Sequence, residues 1–261
     1  MFKTSTKMFG VAVAATLLLG ACGSDGTEPR AASNAPDAAG SSTVTEADLQ
    51  SFCDAVVGAK SALIAASEGS PAENPSPLME AAESNAPDEI AENLGSLFDT
   101  ARAAIETGNT KAFRSERFQR IDESVDAYVA GNCRSEKLNV TGVDFGFGAL
   151  PSSVSAGRVT IDFENTGEEL HEMVLMRIDE EGIGVGELLQ MPEKKALEKL
   201  TFVRALFALP GESDVETFDL ETGEYAVVCL LPVGSTSLEA AESAKGPPHA
   251  EEGMAAQLTV E

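Results

Sequence analysis

Gly211-Glu212-Ser213-Asp214-Val215-Glu216-Thr217-Phe218-Asp219-Leu220-Glu221-Thr222-Gly223-Glu224-Tyr225-Ala226-Val227-Val228-Cys229 reads as two β-type runs joined by a turn, and its texture decides the fold of the C-terminal half. Asp214–Leu220 and Glu224–Leu230 are rich in Val, Thr, Phe and Tyr, which suit a pleated, half-buried surface. Glu221-Thr222-Gly223 between them is turn chemistry. The same texture recurs outward in Val140–Phe147, Gly157–Glu164, His171–Ile178 and Ala256–Val260, with Asn165-Thr166-Gly167 as a second turn signal. Short runs punctuated in this way predict an antiparallel sandwich or small barrel. Two insertions interrupt the pattern. Residues 182–209 carry a helical pattern from Pro192 to about Leu206, and residues 233–248 carry a short helix at Leu238–Ala244 that ends in Gly246-Pro247-Pro248. No internal repeat is visible.

The second run stops at Cys229, and that cysteine belongs to a set. His171, Cys229, His249 and Met254 occur in that order, the last two within Pro248-His249-Ala250-Glu251-Glu252-Gly253-Met254. The chain has two histidines in all, and both fall in this set. Two imidazoles, one thiolate and a weak axial thioether suit copper that alternates between Cu(I) and Cu(II). A soft thiolate serves Cu(I), and imidazole serves both states. Such a site needs ligands from distant segments on a rigid frame. His171 opens a predicted strand, Cys229 closes another, and His249 and Met254 lie on the loop before the last. Taken singly, a cysteine ending an apolar strand is more often packing than ligand. The order, the placement and the scarcity of histidine favour the metal. Met173 and Met176 are rival thioethers, and Met173 shares the strand face of His171.

On these residues the segment 211–229, followed by Pro248 through Met254 and Leu258-Thr259-Val260, resembles the cupredoxins, the plastocyanin and azurin family. The resemblance covers about residues 138–261. It implies a Greek-key sandwich holding one mononuclear type 1 copper, with Met254 rather than Met173 as axial ligand. It also implies one-electron transfer, commonly through the more exposed loop histidine, here His249. Two features depart from the family pattern. Nineteen residues (230–248) separate Cys229 from His249, where relatives have a few. Glu172 follows the first histidine where small relatives often carry an asparagine that ties the ligand loops together, and Leu230 follows the cysteine. The residues behind the ligands, which orient them, are therefore expected to differ.

Toward the N-terminus the texture becomes helical. Residues 45–136 read as a small helical domain, and 137–261 as the β domain. Thr45 is the expected N-cap of a first helix carrying Leu49, Phe52, Cys53 and Val56. Pro71, Pro75 and Pro77 break the chain. Ile90, Leu94, Leu97, Phe98 and Ala101 stripe a second helix that ends at Gly108-Asn109, and Phe118, Ile121, Val125 and Tyr128 stripe a third that stops at Gly131-Asn132. A three-helix bundle follows. Its acids read as solvated helix faces.

Residues 1–21 read as an export signal, with Lys3 and Lys7 before the apolar run Val11–Leu19. Leu19-Gly20-Ala21-Cys22 resembles the lipobox of bacterial lipoproteins, which implies lipidation of Cys22; a plain secretory signal with a chance cysteine is the alternative. Residues 22–44 are Gly, Ser, Ala, Pro and Asn-rich and read as a flexible tether with a reach of about 25 Å. With Cys22 lipidated and Cys229 on a metal, Cys53 and Cys133 remain. Outside the cytoplasm they are expected as a disulfide, with two buried thiols as the alternative.

The net charge of −25 over 261 residues disfavours nucleic acid and anionic membrane surfaces. No G-x-x-x-x-G-K-[ST] loop or basic aromatic-laced helix is present. From Leu138 onward 23 acidic residues face 7 basic ones, which suits a basic redox partner or simply solubility. The expectation is an α+β chain: an exported copper protein, lipid-anchored at the outer face of the bacterial membrane, that carries electrons and is not an enzyme. Copper nitrite reductases and multicopper oxidases need further histidines, and none remain. Copper storage or delivery, and a metal-free interaction module, are the alternatives.

Overall fold

The computed structural model of the protein describes residues 45–67 and 74–261. The expected export signal, Cys22 and the tether to residue 44 lie outside the described residues, as does Pro71. The chain is α+β, with a helical N-terminal region followed by a β region.

α1 (Glu46–Ser67) starts where its cap requires. The Asp48 N–H donates to Thr45 Oγ1 at 3.2 Å, and the Asp48 carboxylate accepts from the Thr45 N–H at 3.2 Å. This reciprocal box satisfies two backbone donors at the first turn. α2 (Ser76–Ser84), α3 (Asp88–Thr107) and α4 (Glu116–Asn132) follow. α2 corrects the expected three-helix bundle: the described part of the N-terminal region holds four α-helices. Pro75 and Pro77, read as breakers, sit at its N-cap and first turn, where a missing N–H has no helical partner to lose. Gly108 ends α3 in the left-handed conformation, φ 66°. Ser115 Oγ accepts from the Phe118 N–H at the start of α4. Phe52, Val56, Met79, Leu94, Phe98 and Val125 fill the space between the helices. Cys53 and Cys133 are disulfide-bonded across 80 residues, joining α1 to the residue after α4. A crosslink of that span stabilises a fold by about 4–5 kcal/mol through the unfolded chain.

The β region, over the described residues, has nine strands: β1 (Glu136–Val143), β2 (Gly146–Gly148), β3 (Ser153–Val154), β4 (Gly157–Asn165), β5 (His171–Ile178), β6 (Leu200–Ala208), β7 (Ser213–Leu220), β8 (Gly223–Val228) and β9 (Ala255–Val260). They form two sheets, ordered β2-β1-β4-β7 and β3-β9-β8-β5-β6. The sheets are mixed rather than antiparallel as expected: β1 runs parallel to β4, and β3 to β9. Between the sheets lies one apolar core, with Val140, Ile161, Phe163 and Phe218 facing Met173, Leu175, Tyr225 and Val227.

The first insertion differs most from expectation. Helix is confined to α5 (Val185–Leu188) and α6 (Glu193–Leu197), and Leu200–Ala208 is the strand β6, not the end of a helix. Its apolar residues are dense enough to satisfy either period. The open edge of β5 decides the matter, since β6 pairs along all of it, and Arg204, Leu206 and Ala208 then alternate as buried positions. The insertion also covers the outer face of its sheet. Ile183, Val185 and Leu188 pack on Val174, Met176, Ala226 and Val228, so β5 and β8 are buried on both faces. In the second insertion α7 (Leu238–Ser243) forms where expected.

α1 and α4 pack against β7. Nearby, Asp214 at the start of β7 accepts the Phe207 N–H at 2.9 Å. Burial pushes its carboxyl up to about 6, and Glu216 and Asp122 add to the effect. The folded state therefore binds more protons than the unfolded chain between pH 3.8 and about 6, and stability falls as pH rises through that window. Asp214→Asn keeps an oxygen for the Phe207 N–H and removes the charge. It is expected to leave stability near that of wild type at about pH 4 and to raise it by up to about 3 kcal/mol at pH 7. Urea unfolding at both pH values checks this, and equal gains at both would contradict it.

Candidate metal centre

β5 and β8 are antiparallel neighbours, with Val174 opposite Val228. The first residue of β5, His171, and the residue following β8, Cys229, therefore lie at one end of the sheet. The Cys229 N–H donates to the Met254 carbonyl at 3.0 Å, extending the β8–β9 ladder past Val228 and Ala255. The Ala250 N–H donates to the Cys229 carbonyl at 2.8 Å, and the Met254 N–H to the His249 carbonyl at 2.9 Å. These bonds fold 249–254 into one tight turn over the strand end.

The long connection 230–248 does return His249 to Cys229. Its two ends are pinned to each other: the His249 N–H donates to the Leu231 carbonyl at 2.8 Å and the Val233 N–H to the Pro247 carbonyl at 2.9 Å, with Pro232 and Pro248 bridged between them. A Cβ on Gly246 would lie 2.5 Å from the Val233 carbonyl oxygen, so the close crossing requires glycine there. The extra residues form an excursion with a closed neck.

His171, Cys229 and His249 are fully buried, and their ligand atoms lie within 4.8 Å of one another. His249 Nδ1 is 3.2 Å from His171 Nδ1 and 3.3 Å from Cys229 Sγ. Met254 and Met173 are both buried in the apolar cluster that contains Cys229. Behind the imidazoles, His171 Nε2 lies 3.0 Å from Asp144 Oδ1, and His249 Nε2 lies 3.0 Å from Glu169 Oε2. A carboxylate accepts, so each Nε2 carries the proton and each Nδ1 presents a lone pair to the centre. With that tautomer, two Nδ1 lone pairs 3.2 Å apart and a sulfur 3.3 Å from one of them turn toward a single point. The donor set thus fits a metal, and its composition fits copper.

Burial pushes the Cys229 thiol up to about 12, with Glu172 and Glu169 adding to the rise against N–H bonds from Glu172 and Leu231. A metal held by Cys229 would have to displace that proton. Burial holds His171 below its ordinary pKa, with His249 adding and Asp144 opposing. For Asp144 burial acts upward, but N–H bonds from Glu168 and Glu169 and the contact with His171 hold it below the usual range.

Several residues here were not singled out as site residues from the sequence. Asp144 sits in the β1–β2 turn. Phe145, beside it, has φ 64° and sets its ring edge-on to His249 at 5.1 Å. Gly167, read only as a turn residue, leaves room for the Asp144–His171 contact: a Cβ there would lie 2.4 Å from Asp144 Oδ1 and 2.6 Å from His171 Nε2. Glu172 takes the tying role expected of an asparagine. Its N–H faces Cys229 Sγ at 3.5 Å, and its carboxylate accepts from the Leu230 N–H at 2.8 Å. Burial pushes that carboxyl up to about 7, against the Leu230 hydrogen bond. One expectation is corrected. His249, taken from the resemblance as the more exposed of the two histidines, is as fully buried as His171, with Phe145 and Glu169 packed against it.

No family model matches the chain, and no curated protein matches it. Among solved structures, reduced auracyanin from the photosynthetic bacterium Roseiflexus castenholzii is 18% identical, over 49% of this chain and 98% of that one, with a TM-score of 0.32. Auracyanin A, described as a blue copper protein of Chloroflexus aurantiacus, is 20% identical over 49% and 100%, with a TM-score of 0.31. Reduced rusticyanin is 18% identical over 48% and 76%, with a TM-score of 0.27.

Proposed function

We propose that this chain is a type 1 copper protein of the cupredoxin kind and that it carries single electrons. The observation that supports it is the convergence of His171 Nδ1, His249 Nδ1 and Cys229 Sγ in a fully buried pocket. His171, Cys229 and His249 would hold the metal, and Met254, buried beside Cys229, would supply a weaker thioether donor. Copper bound there supplies one-electron exchange between Cu(I) and Cu(II). The chain's own part is to fix the ligands and exclude water. The paired ends of β5, β8 and β9 and the closed neck of the long loop restrain all four side chains, so little must reorganise between the two states. Full burial of the ligands favours retention over delivery, which needs an accessible, exchangeable site.

The wider setting is part of the same proposal. The β unit 137–261 would be a Greek-key domain, and the helical unit 45–136 a second domain. Lipid on Cys22 would hold the chain at the outer face of the membrane, and the acidic surface would meet a basic redox partner.

Titration of the purified protein with Cu(II) tests the reading. One equivalent is expected to bind and to give an intense thiolate-to-copper absorption band. The band should bleach on reduction and return on oxidation without loss of metal. Stoichiometric binding of Cu(II) without colour, or no binding, would overturn it.

A further inference from the structure

Metal ligation needs one nitrogen from each imidazole, yet both rings here are also held from behind by a carboxylate. His171 Nε2 meets Asp144 Oδ1 and His249 Nε2 meets Glu169 Oε2, each at 3.0 Å. Neither carboxylate is free to swing away. Asp144 accepts from the Glu168 N–H at 3.0 and 3.1 Å and from the Glu169 N–H at 3.3 Å. Glu169 Oε2 accepts from the Gly234 N–H at 2.6 Å and the Ser235 N–H at 2.8 Å, which also ties the long ligand loop to the site. Gly167 keeps the space that the first contact needs. Two anchored negative charges thus stand one imidazole away from the donor centre, on two different ligands.

Fixed anions at that distance act on the charge at the centre. Cu(II) carries one more positive charge than Cu(I), so each carboxylate stabilises the oxidised state more. The hydrogen bond acts in the same sense: a carboxylate accepting from Nε2 makes Nδ1 a stronger donor, which the harder, more highly charged ion rewards. Both imidazoles are fully buried and Glu169 is 16% exposed, so that charge is weakly screened, while Asp144 keeps more contact with solvent.

We infer that Asp144 and Glu169 are positioning residues that bias the centre toward Cu(II) and so lower its reduction potential. The inference rests on the copper reading above. The one-electron couple takes its electron from, and returns it to, a redox partner; no bond to Asp144 or Glu169 forms or breaks.

Asp144→Asn and Glu169→Gln each keep an oxygen for the Nε2–H and remove the charge. The experiment is a spectroelectrochemical titration of the copper-loaded protein and of both variants, following the charge-transfer band, with far-UV circular dichroism to confirm the fold. Each variant is expected to keep the band. At a fixed applied potential each should shift the Cu(I)/Cu(II) ratio about tenfold toward Cu(I), an upward move of about 59 mV. A shift below about threefold in both variants, with the band intact, overturns the inference. If Glu169→Gln loses copper because its loop is released, Asp144→Asn, on a turn with a 35% exposed side chain, decides alone. Loss of copper from both variants also overturns it, since the carboxylates would then hold the ligands without setting the potential. A wild-type protein with no band would instead sink the copper reading itself.

Discussion

Cys229→Ala is expected to abolish the intense visible absorption of the copper-loaded protein, and Met254→Leu to leave it in place while raising the potential. The band requires a thiolate bonded to Cu(II), and Cys229 is the one free cysteine among the described residues. Removing it leaves two imidazoles, so copper affinity should fall by more than about 100-fold, beyond what loss of a supporting residue costs. The fold should survive, because the surrounding pins are backbone bonds: Cys229 N–H to Met254, Ala250 N–H to Cys229, His249 N–H to Leu231. The thioether acts differently. A weak axial sulfur tunes the potential without generating the colour. Met173 shares the apolar cluster with Cys229 and Met254, so Met173→Leu is the control. A potential that moves with Met173→Leu and not with Met254→Leu would reassign the axial role. A band that persists in Cys229→Ala would remove the centre from these residues altogether.

The cluster of His171, Cys229 and His249 was legible in the sequence because histidine and cysteine are scarce in it and strand ends are easy to place. Asp144 and Glu169 were not. They are two of 43 acidic residues, and no pattern marks them. Asp144 reaches His171 only because a β1–β2 turn with Phe145 at positive φ folds it over the sheet end. Glu169 reaches His249 across 80 residues only because the loop closes at its neck. Gly246-Pro247-Pro248 could be read as a returning segment, but its partner at Pro232-Val233 could not, since that pairing exists only between folded ends. The fold shows the same division. Thr45, Gly108 and the glycine turns act locally and were readable. Leu200–Ala208 becomes a strand because β5 offers an edge, a nonlocal fact that local periodicity does not contain. The Cys53–Cys133 bridge lies between: the counting of cysteines left it or two free thiols, and helix packing brings their Cα atoms to 5.6 Å.

Lys60→Met is expected to cost about 3–5 kcal/mol of stability at pH 7, and to cost less as pH falls. Lys60 Nζ on α1 donates to Asp122 Oδ1 at 2.8 Å and to both oxygens of Asp126 at 2.5 and 2.6 Å, on α4. Its side chain is 12% exposed and that of Asp126 is 10% exposed. Burial alone would lower the Lys60 pKa, but Asp122, Asp126 and Glu216 of β7 outweigh it and raise it, so the ammonium keeps its proton. Burial drives Asp126 upward, with Asp122 and Glu216 adding and Lys60 opposing. Arg204 of β6 is a further cation at this joint, with Nε 3.1 Å from Glu216 Oε2 and Nη2 donating to Ser61 Oγ on α1 at 3.1 Å. Taking away Lys60 leaves Asp122 and Asp126 facing one another without the ammonium that pairs them, and an uncompensated buried charge costs more than the pair contributes when intact. The sign of the pH effect follows. Without Lys60 the folded pKa of Asp126 rises further above its unfolded value, so the folded state holds a proton that the unfolded chain releases, and stability falls as pH rises. The deficit against wild type should therefore shrink from pH 7 to pH 5. Asp126→Asn in the Lys60→Met background removes the stranded charge and should recover most of the loss, giving a large coupling energy in the double-mutant cycle. Urea unfolding of the four proteins at both pH values measures it. A deficit below about 1 kcal/mol that does not change with pH would place the pair among solvated surface bridges.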